Sequence, residues 1–186
     1  YPAEYTLAPC PISWDQLTPS GGLKEIPEKI LQILFPAIGG IVYGWSHAEF
    51  GLVSSVAAIY HRYGGKSIET EIPRSLDRII KFLRKCSDRL PALAPFKEDA
   101  RGLIDEMERR ASMRHMLVHG VISGYIPSKG TIQFFKLNVD VPNDIHLEER
   151  CEITVGELAE MAARSQALAN LSLSLAQRIT QSLVAK

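Results

Sequence analysis

The sequence has few cysteines and no surplus of charge of either sign. Each feature argues against certain classes of function. Its three cysteines, Cys10, Cys86 and Cys151, are odd in number and far apart, and no CxxC occurs. The sequence therefore predicts neither a disulfide framework nor a cysteine zinc site. Lys plus Arg and Asp plus Glu number 21 each, so the formal net charge is zero. This balance argues against a protein held on nucleic acid mainly by bulk positive charge, although it permits a local basic site.

No signal-peptide pattern is visible in a chain that begins at Tyr1, and a cytoplasmic setting with reduced cysteines is expected. Residues 37–60 are mostly apolar or small and approach the length of a membrane span. His47 and Glu49 lie in the middle of this segment, where an ionised carboxylate would be costly in lipid. We therefore predict a buried core helix and no membrane partner.

The chain divides into an arm and one domain. Residues 1–26 are rich in Pro and Gly and have no helical or strand period, whereas residues 27–186 suit a single core. Helical periodicity covers 27–63, with an interruption or kink at Pro36, and then 74–90, 96–119 and 154–183. Alternating patterns predict short strands at 121–126, 131–137 and 149–153, and Thr154 with Glu157 forms a capping box. The expected fold is mostly α, an antiparallel four-helix-type bundle with a small antiparallel β-sheet (121–153) inserted before the last helix.

The most informative segment runs from Arg114 to Gly120, with the sequence Arg-His-Met-Leu-Val-His-Gly at the end of the third helix. At about 100° per residue, Arg114 falls inside the apolar stripe of that helix, and His115 and His119 share the margin of the stripe. An inward-pointing guanidinium needs an acceptor because it stays charged. Glu49, in the middle of the apolar first helix, is the candidate within the chain.

Arginine and histidine together can support metal-free cleavage of RNA. Attack by the 2′-hydroxyl needs a base for that hydroxyl, an acid for the leaving oxygen and positive charge on the phosphate. Histidine can serve as base or acid near neutrality, and arginine can clamp the phosphate oxygens. No metal and no cofactor is required.

Two other interpretations of the segment remain open. In the structural one, Arg114 is an ion-pair partner and a histidine at the helix end caps the last carbonyls. In the metal one, His115 and His119 have the spacing for two imidazoles on one ion. Met116 stands where the zinc-protease pattern needs Glu. A third ligand would come from His47, His61, Glu49 or elsewhere.

The segment resembles the motif of HEPN domains, a helical superfamily in which arginine precedes histidine by four to six intervening residues. The run Arg114-His115-x-x-x-His119-Gly120 is similar to the RNxxxHG form of several bacterial branches, with His115 at the polar position. Gly44-Trp45-Ser46-His47-Ala48-Glu49 also looks like an aromatic-then-acidic pattern of some branches. The resemblance covers roughly residues 27 to 185, and the inserted sheet departs from the minimal bundle.

The resemblance implies a function. Many HEPN proteins are metal-independent endoribonucleases of toxin–antitoxin, abortive-infection and CRISPR-linked systems, with a composite active site at a homodimer interface. By position, Arg114 would stabilise the phosphate, His119 would act as general acid/base, and His115 would position one or the other; Glu49 completes the candidate site. The implied partners are a second copy, an RNA substrate and an antitoxin or operon-encoded protein. Other members are non-catalytic binding or scaffold modules, which is the alternative.

Small residues on the first helix allow another helix to approach closely. Gly40, Gly44 and Ala48 repeat every four residues, and Gly51 and Ser55 form a second such pair. The spacing suits either packing inside the bundle or a dimer seam. We favour packing inside the bundle.

Overall fold

The structure, a computed structural model, describes residues 26–140 and 145–182 as four helices and one three-stranded sheet. The elements are α1 (Glu28–Arg62), α2 (Leu76–Arg89), α3 (Lys97–His119), β1 (Val121–Ile126), β2 (Thr131–Asp140), β3 (Ile145–Thr154) and α4 (Val155–Gln181), with 3₁₀ turns at Gly65–Ser67 and Pro91–Phe96. The predicted mostly α fold, with a small antiparallel sheet before the last helix, is confirmed. The predicted arm, apart from residue 26, lies outside the described residues, as does the loop at 142–144.

Local sequence signals set the helix ends. α1 follows Pro27 and ends before Gly64, which adopts a left-handed conformation with φ of 88°. The sequence predicts an interruption or kink at Pro36, but α1 continues through it without interruption. Pro36 has no amide N–H for the Gln32 carbonyl, and α1 tolerates this loss because both residues lie on the exposed side of the helix. The capping box of α4 is confirmed: Thr154 Oγ1 accepts from the Glu157 amide at 3.1 Å. The Glu157 carboxylate in turn accepts from the Thr154 amide at 2.8 Å.

The sheet closes one end of the bundle. Its order is β1-β2-β3, all antiparallel, and β2 and β3 are both longer than predicted. Ile132, Phe134 and Ile153 are buried and pack in a second hydrophobic cluster with residues of α1 and α3. This packing holds β2 against the end of α3, where the Arg–His segment lies.

α1 and α4 run parallel, while α3 runs opposite to both, so the antiparallel direction predicted for the bundle does not hold between α1 and α4. A Cβ built on Gly44 would meet the Ser165 backbone carbonyl carbon at 2.6 Å, and one on Gly51 would meet that of Ser172 at 2.7 Å. The small residues of α1 are therefore used inside the bundle, as favoured above. The buried Ser172 hydroxyl donates to the Ala48 carbonyl at 2.7 Å and fixes this register.

α1 has two different faces. One is buried against α3 and α4, as predicted, but the opposite face carries large exposed apolar side chains, among them Phe35, Tyr43 and Phe50. Within the described residues α1 is also the helix that is long and apolar enough to cross a membrane by length and composition. The sequence prediction of a buried core helix is thus correct for one face only.

Candidate functional site

The Arg–His segment lies at the junction of α3 and the sheet. Gly120 ends α3 by donating its amide to the Met116 carbonyl at 2.7 Å. A Cβ at Gly120 would stand 2.4 Å from that carbonyl oxygen and 3.2 Å from the carbonyl oxygen of Phe135 on β2. Since no side chain fits there, glycine is required for β2 to pass this close to the helix end.

The two histidines lie side by side on the surface. The ring centroids of His115 and His119 are 4.6 Å apart, with an angle of 52° between the ring planes. Both residues are exposed. Neighbours four apart on a helix meet in this way. The predicted shared edge is confirmed, and both imidazoles are open to a ligand from solvent.

Arg114 points inward and is half-buried. Its guanidinium carbon lies 5.8 Å from the centroid of the Trp45 ring, a cation–π arrangement. Its Nε atom is buried and has no hydrogen-bond partner among the described residues. The inward direction predicted for Arg114 is therefore confirmed, and one of its donors is unsatisfied.

Glu49 does not pair with Arg114, contrary to the sequence prediction. Its carboxylate accepts from Trp45 Nε1 at 2.7 Å, and no ion pair joins it to Arg114 in the part of the chain that the structure describes. Trp45 separates the two: its face contacts Arg114 and its N–H binds Glu49. Trp45 entered the sequence prediction only as part of the aromatic-then-acidic pattern; its contact with Arg114 was not predicted, and its hydrogen bond with Glu49 follows from their four-residue spacing on a helix.

Lys136 and Glu149, on neighbouring strands, were also missed. The strand register pairs Lys136 of β2 with Glu149 of β3. The pKa of His115 is lowered from its ordinary value, first by partial loss of hydration and then by the positive charges of Lys136, His119 and Arg114, while Glu149 acts in the opposite direction. The sheet thus adds a cation and a carboxylate to the surroundings of the histidines.

The metal interpretation lacks a third ligand in the described residues. Within them no three His, Cys, Asp or Glu side chains come together closely enough to hold an ion. His47 uses its Nδ1 in a 2.9 Å hydrogen bond with the Tyr43 carbonyl, and His61 packs against the ring of Tyr60. Neither joins His115 and His119 in a ligand cluster.

A second charged cleft, not predicted from the sequence, opens between α3, β3 and α4. It has a volume of about 350 Å³ and is lined by Arg109, Arg110, Met113, Glu152, Ile153, Glu157, Glu160, Met161 and Arg164. Arg110 binds Glu106, and Arg164 binds Glu160. The arginines of this cleft are therefore largely paired within the chain, unlike the exposed imidazoles of His115 and His119.

The arrangement around α3 places positive charge beside two exposed imidazoles, so it can bind and polarise an anion and can donate or accept a proton. Arg114 and Lys136 supply the positive charge, and His115 and His119 supply the proton-transfer groups. The chain matches no protein-family model, no curated protein and no solved structure with which it was compared.

Proposed function

We propose that the chain is a metal-independent endoribonuclease of the HEPN type. The observation that carries the proposal is the pair of exposed imidazoles of His115 and His119, 4.6 Å apart, with the positive charges of Lys136 and Arg114 acting on His115. A phosphodiester at this edge would lie near a cation and two imidazoles within two turns of helix. The toxin or phage-defence role, and an antitoxin or operon-encoded partner, rest on the resemblance alone.

Each residue has a role in the proposed reaction. Arg114, whose guanidinium lies against the face of the Trp45 ring, binds a phosphate oxygen. His119 acts as general acid/base. His115, whose lowered pKa favours the neutral imidazole near pH 7, accepts a hydrogen bond and positions the substrate hydroxyl or His119.

The geometry of phosphoryl transfer supports a site shared by two copies. In an in-line displacement the attacking 2′-oxygen and the leaving 5′-oxygen lie on opposite sides of phosphorus. His115 and His119 stand next to each other on one edge of α3, so together they approach a phosphate from one side. A second copy would bring its own pair to the other side, which makes the proposed active site composite and the active species a homodimer.

RNA cleavage by the purified chain in EDTA tests the proposal. We expect a single-stranded RNA pool to be cut into products that carry a 2′,3′-cyclic phosphate. We expect His119→Ala to lower the rate by about 100-fold or more, with an unchanged helical CD spectrum. His61→Ala is the matched control, because His61 is an exposed helical histidine at the end of α1, and it should retain the wild-type rate.

A non-catalytic binding module is the second candidate, favoured by the stacking of Arg114 on Trp45. This contact gives Arg114 a structural use that needs no substrate. If the folded protein binds RNA or protein but cuts no RNA in any pool, this second function replaces the first. Stoichiometric zinc that is lost in a His115→Ala, His119→Ala double variant would contradict both.

A further inference from the structure

The exposed face of α1 is large, apolar and regularly spaced. We call it the α1 outer face and define it by Phe35, Gly39, Tyr43, Ser46, Phe50, Val53, Ser54 and Ala57. Phe35 and Tyr43 are each 59% exposed, Phe50 is 63% and Val53 is 48%. These residues recur mostly three or four positions apart, the spacing of a helix–helix seam. An isolated folded chain rarely exposes so continuous an apolar stripe.

Nothing in the described residues covers this face. Gly44 and Gly51, on another side of α1, pack against α4, and Trp45 lies towards α3. A Cβ built on Gly39 would meet no atom within 4 Å. Glu49 is the only Asp, Glu, Lys or Arg between Ile30 and Tyr60, and its carboxylate binds Trp45. The α1 outer face is therefore uncharged over most of its length.

We infer that the α1 outer face binds the same face of a second copy, with the two α1 helices antiparallel about a two-fold axis. The exposed parts of its large side chains, with those of the adjoining Ile33 and Val42, amount to on the order of 700 Å², close to the roughly 800 Å² per partner of a stable interface. A two-fold contact requires a surface that complements itself.

The order of large and small residues meets that requirement. With the axis between Gly44 and Trp45, Phe50 lies opposite the partner subunit's Gly39. In the same register Phe35 lies opposite the partner subunit's Ser54, and Tyr43 opposite the partner subunit's Ser46. Each exposed aromatic ring thus faces a residue with little or no side chain, so the two helices can pack closely.

Charge favours the antiparallel direction over the parallel one. Glu28 lies in the first turn of α1 and Arg62 in its last turn. The antiparallel register brings Glu28 next to the partner subunit's Arg62, and it also opposes the two helix dipoles. A parallel pair would align the two helix dipoles and bring Arg62 next to the partner subunit's Arg62.

This inference does not rest on the proposed function: α3 packs on the side of α1 away from the outer face, so pairing through α1 leaves the two histidine pairs apart, and a composite active site would need a separate contact between copies. The oligomeric state is measured without RNA, so its result is independent of cleavage. An inactive dimer through α1 would contradict the nuclease proposal and leave the interface standing. Cleavage by a protein that pairs through another surface would support the nuclease proposal and contradict the α1 interface.

Sedimentation equilibrium of the full chain is the first test. We expect a species of twice the 20.6 kDa chain mass. Phe50→Glu should raise the dimer dissociation constant by roughly 100-fold or more, because a carboxylate enters the seam twice. Val121→Glu is the matched control: Val121 is 55% exposed on β1, and its substitution should leave dissociation unchanged. Gly39→Leu, whose side chain has free space in one copy, should also weaken the dimer without affecting folding.

Disulfide trapping tests the direction of the helices. With Cys10 and Cys151 changed to Ser, Ser46→Cys lies beside the axis and should cross-link to its copy upon mild oxidation. Ala57→Cys should not, since the two positions would be roughly 35–40 Å apart along antiparallel helices. Cross-linking at both positions would overturn the antiparallel arrangement.

Other occupants of the face would also overturn the inference. A monomeric wild type would indicate that residues 1–25 cover the face. Flotation of the wild-type chain with phosphatidylcholine vesicles, abolished by Phe50→Glu, would indicate a lipid surface. A dimer that Phe50→Glu and Gly39→Leu leave intact would assign the contact to another part of the chain.

Discussion

Trp45 holds Arg114 and Glu49 in place through two different chemical properties of one ring. Its face contacts the guanidinium of Arg114, and its N–H donates to Glu49. The ring is buried, so both neighbours are held against a fixed support. The position of Arg114 therefore depends on an aromatic residue, and a carboxylate keeps the plane of that residue oriented.

A pair of substitutions at Glu49 tests this arrangement. Glu49→Gln keeps an oxygen acceptor for Trp45 Nε1, and we expect it to lower the free energy of unfolding by less than about 1 kcal/mol. Glu49→Leu leaves that N–H without its acceptor and should cost about 1–2 kcal/mol. Urea unfolding followed by tryptophan fluorescence measures both. Equal losses in the two variants would show that the hydrogen bond contributes little.

The positive charge of Lys136, on the neighbouring sheet, is the second cause after loss of hydration that lowers the pKa of His115. Lys136→Met should move the pKa of His115 upward, towards its ordinary value, because a nearby positive charge is removed. The protonated imidazole would then persist to higher pH. Ring-proton shifts in NMR titration follow this directly, with Lys129→Met as the control from the exposed β1–β2 turn. A similar shift in both variants would indicate a general charge effect.

At the scale of elements, contact between α1 and α4 requires the absence of side chains at Gly44 and Gly51. We expect Gly51→Ala to lower the free energy of unfolding by about 2–4 kcal/mol, since the new methyl group meets the backbone of Ser172 and a helix must shift. Gly102→Ala is the control: Gly102 is helical and exposed, with nothing within 4 Å of an added Cβ, and the change should stabilise by up to about 1 kcal/mol. Chemical denaturation compares the two, and a neutral Gly51→Ala would contradict the close packing.

The first turn of α4 should make stability depend on pH. The pKa of Glu157 is lowered from 4.5, first by the backbone amide of Thr154 and then by its hydroxyl. Because the folded pKa lies below the unfolded one, the stabilisation is complete above about pH 4.5 and is lost as the pH falls through the folded value. Glu157→Gln should flatten this acid-side dependence, and unfolding measured between pH 6 and 3 would detect it. An unchanged slope would assign the dependence to other carboxylates.

Local sequence signals predicted the helices and strands but not the contacts between them. Gly120 at the end of α3 and the Thr154–Glu157 capping box at the start of α4 act within a few positions, so these helix ends agree closely with prediction. Arg114 could be placed on an inner face from helical period alone. Its contact with Trp45, and the approach of Lys136, depend on packing between segments far apart in sequence, which periodicity does not encode. The two faces of α1 are both apolar, so the pattern could not show which one stays exposed.

At the scale of the whole molecule, pairing through the α1 outer face would couple stability to concentration. Only the folded state presents this face, so dimer formation should raise the thermal midpoint as protein concentration rises. Phe50→Glu should abolish that rise, while Val121→Glu keeps it. Differential scanning calorimetry over a hundredfold range of concentration is the measurement, and a constant midpoint for the wild type would contradict the interface.

The parallel pairing of α1 with α4 has a consequence for synthesis of the protein. The Ser172–Ala48 bond joins residues 124 positions apart, so α4 leaves the ribosome long after α1 and after α2, α3 and the sheet. Until then the side of α1 that packs on α4 stays uncovered, together with the α1 outer face, which favours chaperone binding or aggregation of the nascent chain. The core of the described residues can therefore be completed only after α4 has been synthesised.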